Sequence, residues 1–274
     1  LGLEHPDVAQ AFVLPHKQQR SQTIFPFSLP VTFQGKYEEA EPLYRRSLAV
    51  VEKVYGPDHP EVATHLSNWA GLVKSQGKYD DAEPLYVRAI AIGEKALGPE
   101  HPDVAVWLNN RAGLLESQGK YDEADPLYLR AIETGEKTLG PDHPALATRL
   151  NNRAGLLRVQ GKYSEAEPLY ERCQAIEEKA LGPEHPSLAT TLNNRAGLLE
   201  SQNELGRAFV PPQRNLLLLS IIAMTTPSSL FSLTSHGTYD DAEPLYVGAI
   251  AIGEKALGPE HPDVAVWLNN RAGL

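Results

Sequence analysis

Gly-Lys-Tyr begins at Gly35, Gly77, Gly119 and Gly161, and His-Pro at His59, His101, His143 and His185, each series stepping by 42 residues. Self-similarity at a fixed period of about 20–50 residues marks an array whose units cannot bury a core alone and stack on their neighbours. Fold and function are therefore properties of one unit and the units beside it.

The unit from Pro102 to Leu139 shows what each repeat folds into. Pro102 and Asp103 suit the first turn of a helix, where a missing amide costs nothing and an acid meets the positive end of the dipole. Val104, Ala105, Leu108, Ala112 and Leu115 then form one apolar stripe at three- and four-residue spacing, ending near Gln118. Gly119-Lys120 breaks the helix, with Gly free to adopt the left-handed cap. A second helix carries Tyr121, Ala124, Leu127, Tyr128, Ala131 and Ile132, starts with the acids Asp122 and Glu123, and has Pro126 near enough to its start to cost about one backbone bond. Leu139-Gly140-Pro141-Asp142-His143-Pro144 stops it and links to the next unit. Small residues at Ala112, Ala124 and Ala131 let the two helices approach closely. The expected fold class is all-α, an α-solenoid of antiparallel helix pairs.

The period fails twice: His5 to His59 is 54 residues and His185 to His261 is 76. In the first case Gln10 to Phe33 stands where a first helix belongs, and in the second Asn203 to His236 separates a first helix from its partner. The expected division is thus a partial repeat with an anomalous segment (1–33), a continuous array (34–202), an insertion expected to be disordered (203–236) and a partial repeat (237–274). All six Phe and the single Met lie in the two anomalous stretches and all eleven Tyr lie outside them, so composition changes at the borders. Within them Ile24 to Pro30 and Pro227 to Leu233 have largely pyrimidine codons, which reads as translated intron ends, the alternative being two genuine flexible insertions. Tyr239 to Leu274 repeats Tyr79 to Leu114 except for Gly248 in place of Arg88. This last unit is expected to form its helix but to stay undocked from the array if the insertion is genuine. The chain starts without Met and stops halfway through a repeat, which reads as a piece of a longer protein.

Several function classes are disfavoured. Lys plus Arg is 25 against Asp plus Glu 35, a net charge of −10, so there is no basic surface for nucleic acid. Cys173 is the only cysteine, too few for an internal disulfide or a zinc site, and it replaces the Ala of Ala89 and Ala131. The longest apolar stretch, Leu216 to Met224, is far short of the ~20 residues a membrane span needs. The His-Pro pairs sit in separate loops, and helix layers of ~8–10 Å put neighbouring loops ~20 Å apart, too far to share a metal. They read as turn and helix-start residues. Gly-Lys-Tyr-Asp lacks the spacing of a phosphate loop. No nucleophile, base and orienting acid can be picked out, and acids such as Glu136 and Asp122 recur as helix surface. The expectation is a non-enzyme without cofactor or metal, cytoplasmic, with a protein or peptide as partner.

Gly119, Tyr121, Ala124, Tyr128 and Ala131, with Ala112 and Leu115 upstream, resemble the tetratricopeptide repeat (TPR) pattern, lengthened from its usual ~34 residues. The run GKYDEADPLYLRAIETGEKTLGPDHP, preceded by LNNRAGLLESQ, is similar to the repeat of kinesin light chains. It is also similar to the arrays of nephrocystin-like proteins and those behind NB-ARC ATPase domains. The resemblance implies that the first helices line a concave face and meet an extended peptide through Asn109, Asn151, Asn193 and Asn269, with Ser67 in the earlier unit. A carboxamide donates and accepts, so a ladder of Asn grips a peptide backbone without reading its side chains. Each is followed by a second Asn (Asn110, Asn152, Asn194, Asn270), and the structural alternative is that one of each pair only bonds to neighbouring loops. One turn further along, Lys74, Glu116, Arg158 and Glu200 alternate in sign and would suit a peptide of mixed charge, or form a solvated face. Arg111, Arg153, Arg195 and Arg271 stand where the kinesin light chain pattern has Leu, with Trp69 in the other unit. Such an Arg can bury its stem and extend its head to a groove or a carboxylate, which reads first as a packing residue, with a cationic ladder as the alternative. The expected function is a protein-interaction scaffold. The alternatives are the recognition segment of an NB-ARC-type receptor, with an ATPase domain upstream, or a kinesin light chain-like motor cargo adaptor, with a coiled coil upstream.

Overall fold

The computed structural model describes residues 37–209 and 239–273, and all regular structure among them is helical. The helices are α1 (Tyr37–Tyr55), α2 (Pro60–Ser75), α3 (Tyr79–Leu97), α4 (Pro102–Ser117), α5 (Tyr121–Leu139), α6 (Pro144–Val159), α7 (Tyr163–Leu181), α8 (Pro186–Phe209), α9 (Tyr239–Leu257) and α10 (Pro262–Ala272). Even-numbered helices are the first of a repeat and odd-numbered ones the second. The fold is an all-α array of helix pairs. The expectations for residues 1–33, and for the insertion from 210 to 236, lie outside the described residues, whereas its first part, 203–209, continues α8 as helix rather than being disordered. No helix among those described is long and apolar enough to cross a membrane.

The boundaries follow from short-range chemistry. At each start of a first helix the His of His-Pro is the cap: Nδ1 of His59, His101, His143, His185 and His261 accepts the backbone N–H two residues on, each at 3.2 Å. Pro follows at N1, where its missing donor is no loss. Gly77 ends α2 at φ +75°, and the N–H of Lys78 reaches back to the Val73 carbonyl at 3.2 Å, closing a Schellman turn. The same closure joins Lys120 to Leu115 and Lys162 to Leu157. The helices α3, α5, α7 and α9 each run unbroken through a proline in their second turn.

The described residues form two compact units that divide between Asn152 and Arg153. In the first, Val62, Ala63 and Leu66 of α2, Ala89 and Ile90 of α3, and Val104, Trp107 and Leu108 of α4 share one core. In the second, Ala154 and Leu157 of α6 pack with Ala166 and Tyr170 of α7 and Leu198 of α8. Where a second helix meets the next first helix, a small residue faces a large one. A Cβ at Gly93 would fall 2.1 Å from Trp107, one at Gly135 2.1 Å from Arg149, and one at Gly253 2.0 Å from Trp267.

The helix after the insertion does not stay apart. α9 packs along α8, burying Ala242 and Tyr246 against Ala196 and Leu199, and Ala249 and Ile250 against Leu188 and Leu192. Lys255 pairs with Glu184, as Lys137 pairs with Glu100 in the first unit, so α9 occupies the place of the second helix that α8 lacks. The physical reason is a matter of magnitudes. Closing a connection of about 30 residues rather than three costs only ~2 kcal/mol more. Each large apolar side chain buried returns about 1.5–3 kcal/mol.

Candidate peptide-binding face

The first helices present a repeating stripe, which in α4 runs through Val106, Asn110, Gly113 and Ser117 and in α8 through Thr190, Asn194, Gly197 and Ser201. Each unit shows how its Asn residues are used. In the first, Nδ2 of Asn152 donates to Oδ1 of Asn109 at 3.2 Å. In the second, Nδ2 of Asn270 donates to Oδ1 of Asn193 at 3.1 Å, while Nδ2 of Asn193 lies 3.5 Å from Oδ1 of Asn194. The second Asn of one helix therefore ties back to the first Asn of the helix before it. Asn109 and Asn151 are half-buried, Asn193 is buried, Asn269 is exposed and Ser67 is buried within α2.

The alternating charges are brought together in pairs. Lys74 is buried, and its ammonium donates to the Gly113 carbonyl of the next first helix at 2.5 Å. Burial pushes the Lys74 ammonium down to about 8, and the Glu116 carboxylate pulls it back up. Glu116 in turn accepts the Tyr128 hydroxyl at 2.8 Å. Burial, and then that carboxylate, holds the Tyr128 hydroxyl well above the usual phenol range. The second unit repeats the pattern with Arg158 for Lys74: Tyr246 donates to Glu200 at 3.1 Å, and Nη1 of Arg158 lies beside Gly197. Burial raises the Tyr246 hydroxyl first and Glu200 adds to it, while Arg158 opposes the rise. Lys74 thus meets Glu116 in the first unit, and in the second Arg158 and Glu200 both act on Tyr246 beside Gly197.

The glycine escaped the sequence reading, which took Tyr128 as an apolar packing residue and missed the part its hydroxyl plays. A Cβ at Gly113 would sit 3.1 Å from the Lys74 ammonium and 3.3 Å from the Tyr128 hydroxyl, so both groups would have to give by a few tenths of an ångström to admit one. The available signal was a Gly in mid-helix of every repeat, where it costs about 1 kcal/mol relative to Ala and so calls for a reason.

The Arg ladder ends on carboxylates. Nε and Nη2 of Arg111 donate to Oε1 of Glu83 at 2.9 and 2.7 Å, and Arg271 holds Glu243 in the same way at 3.0 and 2.6 Å. Arg195 reaches Glu171 at 2.5 Å and Gln174 at 3.0 Å. Trp69, at the corresponding place in α2, lies under the Arg45 guanidinium at 5.1 Å. Each contact joins a second helix to the next first helix. No group of three or more His, Cys, Asp or Glu among the described residues is placed to hold a metal ion.

With this geometry in view, the comparisons with known proteins are consistent. A family model described as Tetratricopeptide repeat matches residues 32–95, 61–134, 103–157 and 147–209, and a second of the same description matches 231–263. No curated protein matches the chain. Among solved structures, the chain resembles the nearly identical TPR-like repeats of a Podosopora anserina protein assigned to the kinesin light chains. The identity is 23%, the match covers 81% of this chain and 90% of that one, and the TM-score is 0.57. BtubC (BKLC) from P. vanneervenii is similar at 23% identity over 72% of this chain and 78% of its own, with a TM-score of 0.56. Both likenesses are of fold. The family models span most of the array, and the chain belongs to the tetratricopeptide repeat family.

Proposed function

We propose that the chain is a protein-interaction scaffold that holds an extended peptide or a partner helix along the stripe of first helices within a unit. The observation that carries this reading is the Asn-to-Asn tie. It fixes the half-buried carboxamide of Asn109 in place beside that stripe, while the buried Asn193 holds Asn194 and Asn270 in register. A donor and acceptor held before the ligand arrives loses little conformational entropy on binding. Asn151 and Asn269 continue the series, with Ser67 in the earliest unit. Lys74 and Glu116 border it in the first unit and Arg158 and Glu200 in the second, one cation and one anion in each, which favours a segment of mixed or low charge over a strongly acidic one.

The test is a screen of the purified chain against an array of synthetic extended peptides, with bound peptides located by hydrogen exchange. Protection at 106–117 and 190–201, weakened by Asn109→Ala and Asn193→Ala, is the expected result. Protection confined to the outward faces of α3, α5 and α7 would overturn it. The motor-adaptor and NB-ARC receptor readings are narrower forms of this scaffold. They differ in what precedes the array, coiled-coil heptads or an ATPase domain, which a full-length transcript distinguishes.

A further inference from the structure

Three of the joints between a second helix and the next first helix are built alike, with Gly93 against Trp107, Gly135 against Arg149 and Gly253 against Trp267. The α7–α8 joint departs from this plan. The position of those glycines is taken by Glu177, and the large residue opposite is replaced by Thr191. Next to them, Gln174 stands where Ile90, Ile132 and Ile250 are buried, and Cys173 where Ala89, Ala131 and Ala249 are buried. An apolar joint has become a polar one. Glu177 is 5% exposed, and its Oε2 has no hydrogen-bond partner. Its carboxyl contacts the Thr191 hydroxyl and the Cys173 thiol, which lie 3.3 Å from one another.

We propose that the α7–α8 joint is a proton-sensitive hinge, closed while the Glu177 carboxyl carries its proton and loosened when that proton leaves. A buried carboxylate with one oxygen unpaired is costly, whereas the protonated acid supplies its own donor. The groups facing it are the Cys173 thiol from its own helix and the Thr191 hydroxyl from α8, and neither brings a positive charge. The nearby charges are already engaged: Arg195 of α8 is held by Glu171 and Gln174, and Glu178 accepts from Gln174. Burial pushes Glu177 up to about 6, and the bonds from Thr191 and Cys173 draw it down.

The folded value is raised, so the joint is firmest below the ordinary carboxyl value of 4.5 and loses that advantage as pH rises through about 6. The α8 helix carries α9 and α10, together with the Asn193–Asn270 tie, so loosening at this joint frees that part of the face from α7. This inference concerns regulation and does not depend on which ligand the face takes.

The experiment is hydrogen exchange on the full chain, wild type against Glu177→Gln, read as protection factors for the α8 amides at pH 5 and 7.5. The wild type is expected to lose about eightfold more protection than the variant over this range. Equal pH responses in the two proteins would overturn the proposal. Should the variant fail to fold, a ¹³C titration of the Glu177 carboxyl in the wild type decides: a midpoint near 6 supports the hinge, and one near 4.5 refutes it.

Discussion

Gly93→Ala adds one methyl where the joint between α3 and α4 has no room for it. The new Cβ would lie 2.1 Å from Cζ3 and 2.9 Å from Cε3 of Trp107, and 3.0 Å from Cγ2 of Val104. Carbon atoms in contact settle at about 3.5–4.0 Å, so the indole has to retreat by roughly 1.5 Å. It has nowhere to go, since Trp107 is 4% exposed and sits in the core of the first unit. In an open helix the same substitution would stabilise by ~1 kcal/mol, because Gly loses more backbone entropy than Ala on folding. Overpacking costs about 1–3 kcal/mol, and a contact this short belongs at the upper end. The net expectation is a loss of ~2 kcal/mol.

The sign reverses once the ring is gone. In a Trp107→Ala background the methyl meets a cavity, and Gly93→Ala should stabilise by ~1 kcal/mol, a coupling of ~3 kcal/mol between the two sites. Repeat arrays unfold by units, so the measurement is hydrogen exchange of the α3 and α4 amides across the four proteins of the cycle. A neutral or stabilising Gly93→Ala in the wild-type background, or additive effects in the cycle, would refute the view that these joints are sterically keyed. Gly253→Ala, with Cβ 2.0 Å from Trp267, should behave the same way.

Lys74 contributes a pH dependence of the opposite sense to an ordinary paired lysine. Its folded value of about 8 lies below the free value of 10.5, so the unfolded chain binds more protons between them and stability rises with pH across that interval. Denaturation at pH 7.5 and 9.5 should show the rise in the wild type and its absence in Lys74→Met. His101→Ala removes the acceptor at the start of α4 and should cost ~1 kcal/mol, whereas His101→Asn should keep most of the cap. Equal losses in the two variants would show that the imidazole does not act as a cap. Tyr128→Phe leaves the Glu116 carboxylate without its hydroxyl donor in a half-buried place and should cost about 1–2 kcal/mol by thermal or urea denaturation. No change on its removal would show that water replaces the hydroxyl freely.

Features set within one repeat were readable from the residues, and features set between repeats were mostly not. His-Pro as a helix start, Gly119 as a left-handed stop and the tolerance of Pro126 each depend on a few neighbouring residues, and each is seen in the structure. The Asn tie joins residues 43 positions apart, one period plus one, so it depends on how one first helix is laid against the next. The sequence reading picked out the Asn pairs, but no local rule says which member reaches back. Likewise the alternation of Lys74 and Glu116 was visible as a charge pattern. Its pairing around Gly113 depends on the distance between α2 and α4, which a single unit does not specify. The keyed joints are the clearest case: Gly93 and Trp107 look like two unrelated residues until two helices bring them to the same point. The expectation that α9 stays undocked failed for a different reason. It gave weight to the length of the insertion, whereas the cost of closing a connection grows only with the logarithm of its length.

That logarithm makes a further prediction about the insertion itself. Removing residues 203–236 joins Gln202 to Gly237 and recreates, as Gln-Gly-Thr-Tyr, the turn that Gln76-Gly77-Lys78-Tyr79 makes between α2 and α3. Since α9 already occupies the place of the missing second helix, the deletion should leave its contacts with α8 unchanged, including Tyr246 to Glu200 and Asn270 to Asn193. Besides the end of α8 beyond Gln202, what it should change is the entropy of closing the connection, a stabilisation of ~2 kcal/mol. The readout is hydrogen-exchange protection in α9 and α10, expected to rise by about thirtyfold, the equivalent of that free energy. A fall in protection would mean that residues 203–236 hold α9 in place, and the docking would then owe more to the insertion than to the face that α9 shares with α3. An unchanged value would mean that the connection costs no more to close than a three-residue turn, and the entropic argument for why the array tolerates it would fail.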